Sequence, residues 1–282
     1  MKSELSSFLK HCGMIVVVVA MMLPFLWMVG TSFKPHSEVE RAAFVPEKAQ
    51  PQNYAVILKK APDAFTGNFL DLDFSRWYLN SVLIAGWVTA LQVMTSSMAA
   101  YAFSRLTWPG RDKVFLLYLG TMMIPGLVLM LPNYQIMVSL NLVNTYSGLI
   151  LPAAFSAFGT FLMRQFMSGI SKSYDEAAFI DGATHLQLFL DVILPLARPG
   201  MVALVILSFM GNYQSFFWPL VMVKDDYLRT IPVGLLSFNG QYGQQTELLM
   251  AATLMSIAPL IVLFVVMQKQ LVAGIQLGGV KG

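Results

Sequence analysis

Six apolar runs alternate with polar segments along this chain. Each run is free of Asp, Glu, Lys and Arg, and they fall at about residues 12–33, 79–103, 114–132, 146–163, 200–223 and 248–268. A helix needs about 20 apolar residues to cross the hydrocarbon core of a bilayer. Backbone groups in lipid must bond within the segment, which favours helices over open sheet. The pattern predicts an all-α integral membrane protein with six transmembrane helices.

Composition supports the membrane class. Of the 282 residues, 56% are hydrophobic and 12% are charged, whereas about a quarter of the residues of a soluble domain are charged. The net charge of +3 is too small, and the basic residues too scattered, for a nucleic-acid surface. We expect one transmembrane domain over residues 1–282.

The basic residues favour one orientation. If the N-terminus lies inside the cell, 10 of the 18 Lys and Arg residues lie inside and 8 lie outside, six of these in the segment 34–77. An excess of basic residues on the cytoplasmic side is the usual rule. We therefore expect both termini to be cytoplasmic, although the segment 34–77 weakens this argument.

The polar segment 171–195 separates the fourth and fifth runs. Ser173 is followed three residues later by Glu176, the spacing of a capping box in which each side chain bonds a free backbone N–H of the first helical turn. This spacing predicts a helix that begins at about Tyr174.

A second short helix is expected after Gly182. Glycine readily adopts the left-handed backbone that ends a helix, and Thr184 with Gln187 repeats the capping pattern. Pro195 and Pro199 follow, and proline interrupts a helix. The segment therefore predicts two short helices joined at Gly182 and a break before the fifth run.

The first of these helices carries a face of small side chains. Ala177, Ala178 and Asp181 lie within one helical turn, which allows a partner protein to approach closely. The alternative is a helix lying on the membrane surface. Such an anchor favours Lys or Arg on its polar face, whereas this helix carries Asp175 and Glu176.

The spacing of residues 176–195 resembles a known loop. Glu-Ala-Ala, two residues, Asp-Gly, ten residues and Ile-x-Pro is similar to the cytoplasmic loop by which permease subunits of ATP-binding-cassette (ABC) importers bind their ATPase. Together with residues 212–220 and the terminal Gly278–Gly282, it resembles the maltose-permease-like subunit of bacterial carbohydrate importers.

The resemblance implies a type I ABC importer permease in the bacterial inner membrane. Its partners would be a second permease subunit, two ATPase subunits, an extracytoplasmic solute-binding protein and a sugar. It also implies that the tail Gly278–Gly282 reaches into the ATPase dimer; the alternative is a frayed tail. The residues expected to couple to the ATPase are Glu176, Ala177, Ala178, Asp181, Gly182, Ala183, Ile193 and Pro195.

No catalytic or cofactor site is expected in this chain. A phosphate-binding loop of the form Gly-x-x-x-x-Gly-Lys-Ser/Thr does not occur in the sequence, so ATP and magnesium are expected in the partner ATPase. The single Cys12 cannot form an internal disulfide. His11, His36 and His185 lie in no recognised metal-ligand spacing.

Polar residues on the fifth run outline a candidate substrate path. Ser208, Asn212 and Ser215 recur at i, i+4 and i+7. Amides and hydroxyls beside an aromatic ring suit a neutral polyhydroxylated ligand, but such residues also join membrane helices to each other, and both interpretations stay open. The candidate residues are Ser208, Gly211, Asn212, Tyr213, Gln214, Ser215 and Trp218.

Two other features can be assigned, one from residue spacing and one from the resemblance. The pairs Ser96 with Ala100 and Ser156 with Thr160 have the small-x-x-x-small spacing of helix contacts. In permeases of the resembled family, the loop before the last span reaches toward the solute-binding protein. The residues assigned to that role are Gly240, Gln241, Tyr242 and Gly243.

Rival functions fit less well. An ABC permease for a polyol, glycerol phosphate or an amino acid is the alternative within the family. An ion-coupled secondary transporter commonly needs ionisable groups in its spans, and the six runs contain no Asp, Glu, Lys or Arg. An intramembrane enzyme would need an acid and base pair, and the runs contain no convincing one.

Overall fold

The computed structural model describes residues 2–41, 43–239 and 245–279. Across this part of the chain all regular structure is helical, with no strand. The α-helices are α1 (Lys2–Ser32), α2 (Gln52–Ile57), α3 (Phe74–Ser104), α4 (Arg111–Gly120), α5 (Gly126–Ser139), α6 (Tyr146–Ile150), α7 (Ala157–Ser168), α8 (Ser173–Ile180), α9 (His185–Gln187), α10 (Leu194–Leu196), α11 (Arg198–Tyr213), α12 (Phe217–Met222), α13 (Ile231–Gly234) and α14 (Thr246–Gly279). A π-helix (Leu188–Ile193) joins α9 to α10, and 3₁₀ turns occupy His36–Glu38, Thr121–Met123, Leu151–Ala153, Asp226–Leu228 and Leu235–Asn239.

Three helices are long and apolar enough to cross a membrane alone. They are Lys10–Ser32 within α1, Phe74–Ser104 and Thr246–Gln268 within α14. In α1 the side chains from Val16 to Val19 are all exposed, which suits a surface that faces lipid. The first, second and sixth predicted runs therefore lie in continuous helices, and that these helices cross the membrane stays a prediction.

The other three runs form helix pairs with a sharp bend. Arg111–Met123 meets Gly126–Ser139 at 97°, Tyr146–Ala153 meets Ala157–Ser168 at 45°, and His185–Leu196 meets Arg198–Tyr213 at 74°. The described residues therefore contain three spans, or up to six if each bent pair is one span. The all-helical prediction is confirmed, and six spans are consistent with the fold.

The sequence predicted one helical span over 114–132. The structure instead has two helices there, which meet at 97°. Pro125 precedes α5, and Ile124 has an extended backbone with ψ 118°. Proline clashes with a helical residue in front of it, which pushes that residue toward extended geometry. This clash explains why α4 and α5 do not merge.

The fifth predicted span, 200–223, also needs correction, because α11 ends at Tyr213. Pro219 lies in the short helix α12. Its ring would clash with the carbonyl of Ser215 in a regular helix and it has no N–H for that acceptor, which favours a break between the two residues. The chain therefore leaves the helix at Gln214 and restarts at Phe217.

The chain divides into two compact units. Unit 1 comprises Met1–Trp77 with Val233–Ala258, and unit 2 comprises Tyr78–Pro232 with Pro259–Gly282. The expectation of one transmembrane domain stays a prediction.

Unit 1 orders much of the long segment 34–77. The Asn53 amide donates to the carbonyls of Ser32 and Lys34, both at 2.9 Å. Gly234 lies directly against the ring of Trp77, where a side chain would overlap it. Both Trp77 and Phe238 are fully buried, so the unit has its own apolar core.

Unit 2 contains two clusters of buried apolar residues. The first includes Met163 and Met167 of α7 and Leu204 of α11, and the second includes Ile84 and Val88 of α3 with Met222. Helices α3 and α7 approach closely at Gly159, where an added Cβ would contact Ser96 Oγ at 2.5 Å.

The predicted helix contacts of the small residues are confirmed. Ser96 Oγ donates to the carbonyl of Ser156 at 3.5 Å, and Ala100 and Thr160 are buried. Small side chains at these positions allow the two backbones to approach, as in other membrane helix pairs.

Candidate functional site

The polar loop after α7 folds as two helical segments around a left-handed glycine. Gly182 has φ +81°, and α8 ends just before it at Ile180. Thr184 then caps α9: its Oγ1 accepts from Gln187 N at 3.3 Å, and its N–H donates to Gln187 Oε1 at 2.8 Å. The predicted turn and second capping box are confirmed.

The first predicted capping box is wrong. Helix α8 begins at Ser173 and its N-cap is Lys172, which makes no side-chain capping bond. A capping residue normally has an extended backbone, but Lys172 is already helical, with φ −68° and ψ −17°. Ser173 N–H donates instead to Ser171 Oγ at 3.3 Å.

A tertiary ion pair anchors the start of α8. Arg105, the residue after α3, donates to both carboxylate oxygens of Asp175, at 3.2 and 3.1 Å. The Arg105 side chain is only 3% exposed. Nothing in the local sequence pattern pairs residues 70 positions apart, and sequence analysis missed this contact.

The loop has an exposed face suited to contact with another protein. Glu176, Ala177, Asp181 and Gly182 are exposed. Ile180 between them is 85% exposed, an unusual position for a large apolar side chain unless a partner or lipid covers it. The proline of the motif, Pro195, is also exposed.

Three other predicted coupling residues pack against other parts of this chain and do not point toward a partner. Ala178 and Ile193 are buried in the first cluster of unit 2, and Ala183 packs against it. The interpretation of Ala178 as part of the small docking face is therefore corrected: its side chain is buried in the apolar cluster that also contains Met163, Met167 and Ile193. These side chains attach the loop to the rest of unit 2 and are not available to contact a partner protein.

The break expected from the two prolines lies at Ala197. Pro195 lies inside α10, directly after the π-helix, and Pro199 lies in the first turn of α11. A proline is tolerated in the first turn because the N–H it lacks there has no partner in the helix. The segments on either side of Ala197 meet at 74°.

A cavity of about 200 Å³ lies within unit 2. Four of the predicted path residues line it: Asn212, Tyr213, Ser215 and Trp218. The other lining residues are Ser81, Ile84, Val88, Asn133, Leu149, Pro152, Ala153, Pro219 and Thr230. The structure therefore brings residues of five separate segments around one mixed polar and apolar space.

The remaining path residues do not line this cavity. Ser208 is buried, and Gly211 and Gln214 are exposed elsewhere on the surface. The helical stripe that the sequence predicted does not continue to Ser215, because α11 ends at Tyr213. The candidate path is thus built by a helix end and the following turn rather than by one helix face.

Hydrogen bonds orient two of the predicted side chains that line the cavity, Trp218 and Asn212. Trp218 Nε1–H donates to the carbonyl of Gly148 at 3.1 Å, which leaves its ring to line the cavity. Asn212 Nδ2 donates to the carbonyl of Ser208 at 2.7 Å and to Gln92 Oε1 at 3.4 Å. Asn212 therefore serves as a helix contact and a cavity residue at once.

Three polar cavity residues were missed from the sequence: Ser81, Asn133 and Thr230. Asn133 follows Pro132 in an otherwise apolar stretch, and a polar amide at such a position is a signal that could have identified it. Ser81 and Thr230 carry no such signal, because only folding brings these distant positions together.

The residues assigned to the binding-protein loop, Gly240, Gln241, Tyr242 and Gly243, lie outside the described residues. The residues next to them belong to unit 1 and are buried: Phe238 before the loop and Gln245 after it. Gln245 Nε2 donates to Asp63 Oδ2 at 3.0 Å.

The predicted C-terminal tail is described only in part. Residues 278 and 279 end α14, and residues 280–282 lie outside the described part.

The histidines have ordinary partners. His36 Nδ1 lies 3.0 Å from Glu247 Oε1 in unit 1, and His185 lies near the hydroxyl of Tyr101 in unit 2. Across the described ranges, no group of three His, Cys, Asp or Glu side chains could hold a metal ion.

Comparison with known proteins identifies related sequences over the whole chain. The arabinooligosaccharides transport system permease protein AraQ of Halalkalibacterium halodurans is 34% identical, over 99% of this chain and 98% of the relative. The trehalose/maltose transport system permease protein MalG of Thermococcus litoralis is 31% identical, over 99% and 98%. The sn-glycerol-3-phosphate transport system permease protein UgpE of Yersinia pestis is 33% identical, over 72% and 73%.

The fold is also similar to a solved structure. A chain of a bacterial ABC transporter involved in the import of the acidic polysaccharide alginate superposes with a TM-score of 0.82, covering 95% of this chain and 97% of the other, at 22% identity. At that identity the likeness concerns the fold alone.

A family match covers the loop, the cavity-lining end of α11 and most of the last helix. Residues 92–276 match the family described as binding-protein-dependent transport system inner membrane component. This family consists of membrane transport components and not of enzymes. The chain belongs to this family of inner membrane components of binding-protein-dependent transport systems.

Proposed function

We propose that this chain is a permease subunit that passes a sugar, most simply a di- or oligosaccharide, through the bacterial inner membrane in an ATP-driven importer. Membership of a binding-protein-dependent family implies a solute-binding protein and an ATPase as partners. ATP and magnesium would be held by that ATPase. The observation that carries the proposal is the exposed loop around Gly182, in a chain two of whose relatives are named as arabinooligosaccharide and trehalose/maltose permeases.

The docking face would consist of Glu176, Ala177, Ile180, Asp181 and Gly182. All five are exposed. The two carboxylates offer acceptors for basic or backbone donors, and the apolar side chain of Ile180 offers area whose burial is favourable. This combination of a central apolar group and a charged rim is common at protein interfaces. Ala178, Ala183 and Ile193 would support this face from beneath, and Pro195 would lie beside it.

The substrate path would pass the cavity of unit 2. Its polar lining residues include Asn212, Ser215 and Ser81, and the ring of Trp218 also lines it. Hydroxyl groups of a sugar can exchange hydrogen bonds with amides and hydroxyls, while an apolar sugar face packs on an aromatic ring. The lining of this cavity, drawn from the described residues, contains no charged side chain, which favours a neutral solute over glycerol phosphate or an amino acid.

The remaining parts of the proposal rest on the resemblance to carbohydrate importers. A second permease subunit would complete the path. The termini and the loop around Gly182 would face the cytoplasm, where ATP is held. The segment with Gly240 and Tyr242 would face the solute-binding protein outside.

Affinity purification of the tagged chain from bacterial membranes tests the proposal. We expect a second permease and an ATPase to co-purify, and ATP hydrolysis to rise when the binding protein and a sugar are added. The panel would contain arabinotriose, maltose, trehalose, lactose and, as an anionic control, glycerol 3-phosphate. Recovery of the chain alone, or transport without ATP, would overturn the proposal.

The docking face is tested by charge reversal. Glu176→Lys should lower the amount of co-purified ATPase about tenfold or more, since one well-placed like-charge contact costs several kcal/mol. Gly182→Pro should have the same effect through the backbone, because proline cannot adopt a positive φ. Glu47→Lys is the matched control, since Glu47 is 73% exposed in unit 1. If ATPase recovery with Glu176→Lys equals that of the control, this face is not the docking site.

A further inference from the structure

Arg105 joins three helices of unit 2 through one guanidinium group. Its Nη2 donates to the carbonyls of Met167 and Ile170 at 2.6 and 2.9 Å. Its Nη1 donates to the carboxylate of Asp175 at 3.2 and 3.1 Å. The end of α3 is thereby tied to the end of α7 and to the first turn of α8.

The chemistry of this contact requires arginine. The guanidinium group presents donors in a rigid planar fork, so it can bond a carboxylate and two carbonyls at once, whereas lysine offers a single charged point. The cation lies against the carbonyl end of α7 and the anion lies in the first turn of α8, which matches both helix dipoles.

Burial makes the contact sensitive to change. The side chains of Arg105 and Asp175 are 3% and 15% exposed. Loss of one partner from a buried pair leaves an uncompensated charge, whereas an exposed pair contributes little. Arg111 with Asp112 is such an exposed pair in the same unit, with Asp112 72% exposed.

A second bond attaches α3 to the other half of the loop. The hydroxyl of Tyr101, one turn before Arg105, donates to the carbonyl of His185 at 3.0 Å. Arg105 thus holds α8 and Tyr101 holds α9, on opposite sides of the turn at Gly182. Both halves of the loop are therefore hydrogen-bonded to the end of α3.

The opposite part of α3 lines the cavity. Ser81, Ile84 and Val88 belong to this helix and to the cavity wall. Helix α3 is continuous from Phe74 to Ser104, and at 1.5 Å per residue the distance from Ser81 to Arg105 along it is about 36 Å. A continuous helix can transmit a displacement at one end to the other.

We propose that Arg105 is a positioning residue for energy coupling, which transmits displacement of the ATPase-docking helix α8 through Asp175 to α3 and so to the cavity wall. This inference rests on the proposed function, in which the exposed face of α8 contacts the ATPase. In this arrangement Glu176 and Asp181 contact the ATPase. Arg105 and Asp175, which are more buried, transmit the displacement of α8 to α3.

A cavity probe tests this without knowledge of the solute. The single native cysteine is removed as Cys12→Ser, Ile84→Cys is labelled with a small environment-sensitive fluorophore, and the complex is purified with its ATPase. In this background ATP with magnesium should change the emission. Asp175→Asn should retain the ATPase and its hydrolysis yet lower the emission change about tenfold, within the usual range of coupling between sites.

Three further variants complete the test. Asp112→Asn removes an exposed carboxylate that pairs with Arg111 and Arg164, and should leave the emission change intact. Asp175→Glu keeps the charge and should restore at least about half of it. Arg105→Lys keeps the charge but loses the planar fork, and should behave as Asp175→Asn does.

The outcomes separate the two proposals. If the wild-type complex contains no ATPase, the proposed function fails. If the ATPase is present and Asp175→Asn gives the same emission change as Asp112→Asn, the coupling role of Arg105 is overturned. If both Asp175→Asn and Arg105→Lys lose the ATPase or do not insert, the contact is structural only and the inference is equally overturned.

Discussion

At the residue scale, Trp218 combines two roles that substitution can separate. Its indole N–H donates a hydrogen bond to the carbonyl of Gly148, while its ring is part of the cavity wall. The hydrogen bond contributes about 1 kcal/mol to the local structure. In the proposed function the ring would offer a sugar an apolar face of fixed orientation.

We predict that Trp218→Ala raises the sugar concentration for half-maximal transport about tenfold, which corresponds to about 1.4 kcal/mol. Trp218→Phe is the matched control, because it loses the same hydrogen bond but keeps an aromatic face. Uptake by membrane vesicles at several sugar concentrations measures the effect. Equal behaviour of the two variants would show that the hydrogen bond to Gly148, and not the ring, is what transport needs.

At the element scale, close approach of α7 and α11 depends on one glycine. A Cβ at Gly200 would come within 2.5 to 2.9 Å of Phe166 side-chain atoms. The two helices also share the first apolar cluster of unit 2, with Met163 and Met167 from α7 and Leu204 from α11. Without a hydrophobic driving force in lipid, such close packing is a main source of association between membrane helices.

We predict that Gly200→Ala destabilises the protein by about 1–3 kcal/mol, the usual cost of overpacking. The measurement is the midpoint of heat-induced aggregation in detergent. Gly211→Ala is the control on the same helix, since no atom lies within 4 Å of its Cβ position. Combining Gly200→Ala with Phe166→Leu should recover part of the loss, because contacting residues are not additive. An unchanged midpoint for Gly200→Ala would contradict this packing.

At the scale of the whole molecule, the orientation in the membrane decides which surfaces meet the ATPase and the binding protein. The proposed arrangement has the α3–α4 connection in the cytoplasm and the end of α5 outside. Thr107 lies in the first and Ser139 in the second, and both are exposed residues of unit 2. Charge counting left this orientation only weakly supported.

We predict that Ser139→Cys reacts with a membrane-impermeant thiol reagent in intact spheroplasts, whereas Thr107→Cys reacts only after the membrane is permeabilised. Both variants would carry Cys12→Ser, which removes the single native cysteine. Mass spectrometry of the labelled chain measures the reaction. The reverse order of labelling would place the loop around Gly182 outside and would exclude ATPase docking there.

Local chemistry made parts of this protein predictable. The apolar runs indicated helices because lipid leaves the backbone no other partner. The turn at Gly182 and the cap at Thr184 were predictable since both depend on residues within a few positions of each other. Ser173 does not cap α8, because Lys172 in front of it already has a helical backbone and Ser173 lies inside the helix.

The sequence by itself determined the membrane class, the helical fold and the motif that marks the loop, because these depend on composition and short spacings. Only the tertiary structure decided that Ala178 packs inward and that Arg105 contacts Asp175. The cavity likewise joins Ser81, Asn133 and Thr230 from distant segments. Such contacts depend on how helices bend and pack, and no local pattern in the chain records that.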